Sequence, residues 1–457
     1  MNFFSLEFLL FFFVVFLFVG RSRTSAQRNT VLLLASWIFY AAWDWRLLGL
    51  LLLLSVTTYW SGKIAHSRSG LLLGVLFPLF TLGCFKYLDF FIESFAALFS
   101  LVNIGTLHLL LPLGISFYSF LAISYVLDVR HGKIEAVQDF RIVALYVSFF
   151  PTVVSGPITK ARELLPQFCS LTHVSPENFR IGVQVFLIGC LKKFVLADNM
   201  GVFVDEVYRT PLIFDSATVW LAVVTYSLQL YFDFSGYSDM AIGIAKCLGF
   251  RLTENFNIPY LSRSMTEFWK RWHISLSSWL QEYLYFSLGG NRKGAVRTYI
   301  NLLITMMLCG LWHGAAWHFV LWGGAHGVLL SLHRLYRETL GKHVVIPSII
   351  SVLLTFFSAT MCWILFRAAD MENMGEIFSR LFFWESAAVS HMFTWAWIGI
   401  AVLALMMLVT IKCKEWQARR PTVDLTTFQG FFVFCMAVYF LLVFMYTGNN
   451  PFVYAAF

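Results

Sequence analysis

The chain has 457 residues, 59% of them apolar, 18% aromatic and only 13% charged, with a mean hydropathy of +0.72. Soluble domains carry roughly 25% charged residues, so this chain holds about half the charge needed to wet its own surface. A water-soluble globule, a disordered chain, a secreted disulfide scaffold and a nucleic-acid-binding module are all excluded. The net charge of +8 fits basic residues gathered in cytoplasmic loops, where they orient a membrane chain. The eight cysteines form no CxxC or Cys/His ligand spacing and read as small buried apolar residues. What remains is an all-α, polytopic membrane protein, one domain over 1–457.

In chain order, Met1 to Gly20 is almost wholly apolar, and its first basic residues, Arg21, Arg23 and Arg28, lie after it. A cleaved signal peptide has its basic residues in front, so the segment is expected to stay as a helix with the N-terminus outside. Further apolar segments follow at Thr30–Trp43, Leu47–Trp60 and Gly70–Phe85, several shorter than the ~20 residues of a perpendicular span. Lys86–Asn103 is mixed and is expected in the outer interface, and Leu107–Leu127 descends to a basic loop at Arg130 and Lys133. Phe149 to Lys160 reads FFPTVVSGPITK; proline there removes backbone hydrogen bonds and predicts a break. Broken backbone at membrane depth survives only under cover of protein or a water-filled cavity. Tyr231 to Met240, YFDFSGYSDM, reads either as a second interruption or as a polar interfacial loop. Val345–Phe366, Met392–Ile411 and Phe428–Tyr446 read as plain spans, and Lys412, Lys414, Arg419 and Arg420 as a cytoplasmic loop. About eleven spanning or re-entrant helices fit.

Two stretches concentrate His, Trp and Gly. In EFWKRWHISLSSWLQEYLY, Glu267 to Tyr285, Trp269, Trp272 and Trp279 form a stripe at helical spacing, and Trp269 and His273 are an i, i+4 pair. The spacing predicts one amphipathic helix at the inner leaflet, Trp at headgroup level. Leu308 to Gly327, LCGLWHGAAWHFVLWGGAHG, places three histidines in an apolar run with basic residues at both ends. If both ends are cytoplasmic, the run enters and returns, and His313 lies up to about 24 Å from Arg297 at 1.5 Å per residue. An ionisable group at that depth is by default a functional-site candidate. Imidazole, with an unperturbed pKa near ~6.5, can take a proton from a hydroxyl as a general base, and His273 can orient it or polarise the other reactant. A metal site is not expected: there is no HExxH, Asp and Glu are absent from Gly294 through Arg337, and zinc needs three or four convergent ligands. The glycine pairs Gly310/Gly314 and Gly323/Gly327 read as helix-packing contacts.

EFWKRWHISLSSWL followed by GLWHGAAWHFVLWGGAHG resembles the membrane-bound O-acyltransferase (MBOAT) family, and its bacterial alginate O-acetylase branch in particular. LPLGISFYSFLAISYVLDV from Leu111, FFPTVVSGPITK from Phe149 and YFDFSGYSDMAIGIAKCLGF from Tyr231 resemble the same branch in the same order, so the motif-bearing core is 111–334. The resemblance implies a ring of spanning and re-entrant helices around a central tunnel in a bacterial cytoplasmic membrane. By motif it implies His313 as the catalytic residue and His273 as the second site histidine, with Trp272, Trp312, Ser155, Asp233 and Ser235 lining the tunnel; His318 and His326 are read as structural. It implies acetyl-CoA, or another acyl thioester, as cytoplasmic donor, with no permanently bound cofactor. Lys246, Arg251, Arg263, Lys270 and Arg271 could meet the donor's phosphates. It further implies a periplasmic or extracellular acetyltransferase partner and a polysaccharide acceptor: alginate, peptidoglycan or another exopolysaccharide. D-alanylation of teichoic acid is an alternative within the family. A transporter or flippase also uses broken helices and buried His and Asp, and stays open on residues alone.

Overall fold

Polar residues that cap the helices mark out the backbone of this computed structural model, which describes residues 1, 3–99, 105–171, 174–342, 344, 346–386, 394–412 and 422–448, without the side chains of 342, 395 and 406–412. Ser5, Thr24, Asp44, Ser67 and Asp139 each accept a backbone N–H at a helix start, satisfying donors that would be stranded in lipid. Among the described residues every extended element is a helix. The chain divides into two compact units, 1–186 with 240–253, and 187–239 with 254–457.

The first unit is built from α1 (Leu6–Arg21), α2 (Ser25–Ala41), α3 (Trp45–Lys63), α4 (Arg68–Leu82), α5 (Leu88–Leu98), α6 (Ile115–Arg130), α7 (Phe140–Ser148), α8 (Ala161–Cys169) and most of α9 (Pro176–Cys190). A π-helical turn, Gly83–Tyr87, joins α4 to α5, so Arg68–Leu98 is one apolar helical run long enough to cross a membrane. The division expected at Lys86 is therefore not a break, and residues 100–103 lie outside the described set. The expected span Leu107–Leu127 starts as a helix only at Ile115. As proline predicts, no helix bridges α7 and α8 through Phe149–Lys160, and every residue of that stretch is buried. Its backbone is covered by protein: the Phe150 N–H donates to Ser36 Oγ at 3.0 Å, and the Tyr146 hydroxyl donates to the Thr159 carbonyl at 3.2 Å. Arg28, 1% exposed, donates to the Gln167 and Phe168 carbonyls at the end of α8 and stacks on Phe250.

The second unit holds α10 (Asp198–Arg209), α11 (Ser216–Cys247) up to Asp239, α12 (Met265–Arg271), α13 (Ile274–Trp279), α14 (Ala295–His313), α15 (Trp317–Glu338), α16 (Ser348–Arg367), α17 (Met371–Phe382), α18 (Thr394–Lys412) and α19 (Phe428–Phe444). α14 and α16 have the length and composition of spans. Two expectations are corrected here. YFDFSGYSDM lies inside the continuous helix α11, because nothing in it removes a backbone donor and its carboxylates have partners: Asp233 pairs with Lys193 at 2.6 Å and Asp239 with Lys192 at 2.7 Å. The Glu267–Tyr285 stripe is not one helix. It breaks at Trp272–His273, and Trp269, Trp272 and Trp279 are buried in protein at 8%, 1% and 6% exposure, not set at headgroup level. Cys190, Cys247, Cys309 and Cys362 are buried as expected, whereas Cys169 and Cys435 are exposed. Residues 392–393 and the basic loop at Lys414, Arg419 and Arg420 lie outside the described residues.

Candidate functional site

The break at His273 is built by a short segment running beside it. Trp272 is extended, and His273 sits at φ 42°, ψ 54°, a left-handed conformation that is costly for a residue with a Cβ. The backbone groups freed by the break find partners on residues 255–257: Asn257 N–H donates to the Arg271 carbonyl at 3.0 Å, and Ile274 N–H to the Asn255 carbonyl at 2.9 Å. The fully buried Asn255 side chain accepts from Ser275 Oγ at 2.6 Å and donates to Ser238 Oγ at 3.1 Å. α13 is thereby swung away from the axis of α12, with His273 at the corner.

His313 is placed by a helix hairpin. α14 ends on it and α15 returns from Trp317, the in-and-back path expected from the basic flanks. The two helices press together at glycines: a Cβ on Gly310 would collide with the Phe319 carbonyl, and one on Gly323 with the Met306 carbonyl. Such contact between backbones is what small residues allow in membrane helices.

The two histidines meet in an aromatic enclosure. Their ring centroids are 6.4 Å apart, and Trp312 stands beside both, at 6.1 Å from His273 and 5.0 Å from His313. Phe234 of α11 meets His273 edge-on at 4.6 Å, while Trp322 and Phe366 meet His313 edge-on at 5.1 and 5.3 Å. His273 is fully buried and His313 is 2% exposed. Trp272 joins the same aromatic network, 4.9 Å from Trp363, which stacks on Trp322 at 5.6 Å. Asp233, 1% exposed, lies next to Phe234 in α11 and is bound to Lys193; Ser235 is 2% exposed on the same helix. Ser155 is buried in the broken stretch of the first unit. His326 accepts a hydrogen bond from Trp269 Nε1 at 3.3 Å and packs against Phe268 and Trp322; His318 Nδ1 lies 3.0 Å from the Leu365 carbonyl. Among the described residues no group of three or more His, Cys, Asp or Glu is arranged to hold a metal ion.

Sequence reasoning missed Asn255, Phe234, Trp363, Phe366 and Lys193. The two on α16 sit in a run that reads as an ordinary span. Only Lys193 left a usable signal: a charge inside apolar sequence needs a counter-charge, and the aspartates of α11 were the available ones.

Residues 137–367, which contain this enclosure, match the membrane-bound O-acyltransferase (MBOAT) family. The chain is 38% identical over 439 residues to a "probable alginate O-acetylase" of Azotobacter vinelandii, covering 92% of this chain and 87% of that protein. The chain belongs to the MBOAT family. It is a membrane O-acyltransferase, and the transporter reading falls away. It is also 37% identical over 395 residues to a peptidoglycan O-acetyltransferase of Helicobacter pylori, covering 79% of this chain and 75% of that one. A teichoic acid D-alanyltransferase of Bacillus subtilis is 28% identical over 260 residues, 53% of this chain and 65% of that one. His273, His313 and all of the α12–α15 framework fall inside the matched family region.

Proposed function

We propose that this MBOAT enzyme moves an acetyl group from a cytoplasmic acyl thioester, acetyl-CoA, to a hydroxyl of an extracytoplasmic polysaccharide, with His313 as the general base. The observation that carries the proposal is the buried pair His273–His313, 6.4 Å between centroids and walled by Trp312, Phe234, Trp322 and Phe366. That spacing suits one polar atom shared between the rings. An imidazole nitrogen of His313 takes the proton of the acceptor hydroxyl as its oxygen attacks the thioester carbonyl; the carbon–sulfur bond breaks, and the proton passes to the departing thiolate. His273 holds the acceptor oxygen or the carbonyl in line. The aromatic walls exclude water, which would hydrolyse the thioester.

The donor enters from the far end of the α14–α15 hairpin. There a cavity of about 430 Å³ is lined by Arg263, His333, Tyr336 and Thr355; His333 lies sixteen residues along α15 from Trp317, about 24 Å at helical rise. Arg263, Lys270 and Arg271 supply charge for the phosphates of CoA. In this reading Trp272, Trp312, Asp233 and Ser235 line the acyl passage, and the chain is one domain of about eleven helices set in a bacterial cytoplasmic membrane with the N-terminus outside. The relatives named above support acetyl transfer to alginate or peptidoglycan, and D-alanyl transfer is supported by a shorter and weaker similarity; in this reading a separate extracytoplasmic acetyltransferase finishes the transfer.

Purified protein in lipid vesicles, given labelled acetyl-CoA outside and a soluble polyhydroxyl acceptor, is expected to transfer label, and His313→Ala to lose it by 10²-fold or more, the upper range for a general base. Undiminished transfer by His313→Ala overturns the assignment of the base. Failure of the unaltered protein with acetyl-CoA, but success with an acyl-carrier-protein thioester, overturns the donor.

A further inference from the structure

Away from the histidines, the first unit carries a groove of about 390 Å³ whose walls are almost wholly apolar, formed by Leu9, Phe13 and Leu17 of α1, Phe179 and Val183 of α9, and Cys247 at the end of α11. Leu9 and Phe13 are 46% and 59% exposed, so the groove opens sideways from the helices. One end is fixed by close contacts: Phe16 and Phe179 ring centroids are 4.9 Å apart, and Cys247 Sγ lies 3.7 Å from the Phe179 carbonyl. At that end the charge changes. Leu9, Phe13, Leu17 and Arg21 follow one another at i+4 on α1, so the guanidinium caps the apolar row; Arg180 follows Phe179 and Lys246 precedes Cys247, with Arg23 beyond. Glu177 also lies in this group, while Glu7 lies at the opposite end of α1.

From Phe8 to Leu17 the helix rises about 14 Å, close to the ~15 Å of hydrocarbon in one leaflet, half of a ~30 Å core. We propose that this groove is a binding site for one anionic phospholipid, its acyl chain along Leu9, Phe13 and Leu17 and its phosphate at Arg21, Arg180 and Lys246. Apolar walls hold the tail by removing its surface from water and mobile lipid, and the basic end selects the headgroup, as basic residues at a membrane surface select anionic lipid. The site does not depend on acyl transfer: the lipid is a resident of the fold, not a substrate.

Native mass spectrometry of the full chain in detergent tests it, with dioleoyl-phosphatidylglycerol and dioleoyl-phosphatidylethanolamine titrated separately. One phosphatidylglycerol is expected to be retained in preference, and Arg21→Glu to lower its retention about fivefold or more without changing that of phosphatidylethanolamine. Val183→Trp, which fills the groove, is expected to abolish retention of both; Leu9→Glu, at a half-exposed position, serves the same purpose if the tryptophan variant misfolds. Equal retention of the two lipids overturns the proposal, as does retention indifferent to Arg21→Glu or Leu9→Glu. A dimer that Leu9→Glu dissociates overturns it too, since a second copy would then cover the groove.

Discussion

Two stretches of the chain invert each other. YFDFSGYSDM has the glycine, serine and aspartate of an interrupted segment and is the middle of a continuous helix, whereas FWKRWHISL has helical periodicity and is broken at its histidine. The difference is not in local preference. In α11 each carboxylate is neutralised by a lysine of the neighbouring π-helical turn Leu191–Ala197, and Gly236 lets the backbones close up, so the helix runs on unbroken. At His273 the opposite exchange occurs: residues 255–257 offer a carbonyl and an N–H, and the helix gives up two bonds to take them. Where no water is at hand, backbone goes wherever partners are provided, and the partners here are distant in sequence.

The largest expected effect strikes the continuous stretch. Lys193 stands between Asp198 and Asp233 at 2.7 and 2.6 Å, all three side chains under 10% exposed. Lys193→Met leaves two buried carboxylates without their shared cation, and removing one partner of such a group costs about 3–5 kcal/mol. Thermal unfolding in detergent is expected to drop accordingly; a stability equal to the unaltered protein would mean the cation is not what holds α11 straight. The broken stretch is struck next by Asn255→Ala, which removes the hydrogen bonds to the Ser275 and Ser238 hydroxyls at about 1–3 kcal/mol. Because Asn255 holds the corner that carries His273, acyl transfer is expected to fall more steeply than stability, and equal losses would make Asn255 a packing residue only. Gly236→Ala is smaller: the new Cβ would lie 2.8 Å from the Gly189 carbonyl oxygen and 3.0 Å from the Lys193 nitrogen, an overpacking of about 1–3 kcal/mol, read as a lower midpoint of unfolding.

These contrasts also explain what was legible beforehand. Apolar runs, basic flanks and proline report the bilayer and the covalent chain directly, so the first helix, the break after Ser148 and the α14–α15 hairpin with His313 at its turn could all be read from residues. The corner at His273 could not. Its cause, Asn255, is a single polar residue in the loop EN, and nothing in that loop distinguishes it from a solvated asparagine. Phe366 and Trp363 were hidden for the reverse reason: apolar residues on a spanning helix carry no mark of which face meets His313. The resemblance to the MBOAT family singled out both histidines as motif positions but was silent on the backbone that holds one of them.

The smallest effect asks what the corner needs from residue 273 itself. At φ 42° asparagine is tolerated far better than most residues with a side chain, because its short amide bonds locally, whereas a β-branched residue is a strong outlier there. His273→Asn is therefore expected to unfold at nearly the temperature of the unaltered protein, and His273→Val to be about 1–2 kcal/mol less stable. Activity separates two roles that stability leaves joined. If the residue's task is to hold the acceptor or the carbonyl by a hydrogen bond, the asparagine amide retains part of it, and transfer by His273→Asn should exceed that of His273→Val after correction for folded fraction. If transfer is lost equally in both while His273→Asn keeps its fold, the imidazole itself moves a proton, and the base assigned to His313 becomes the work of a pair.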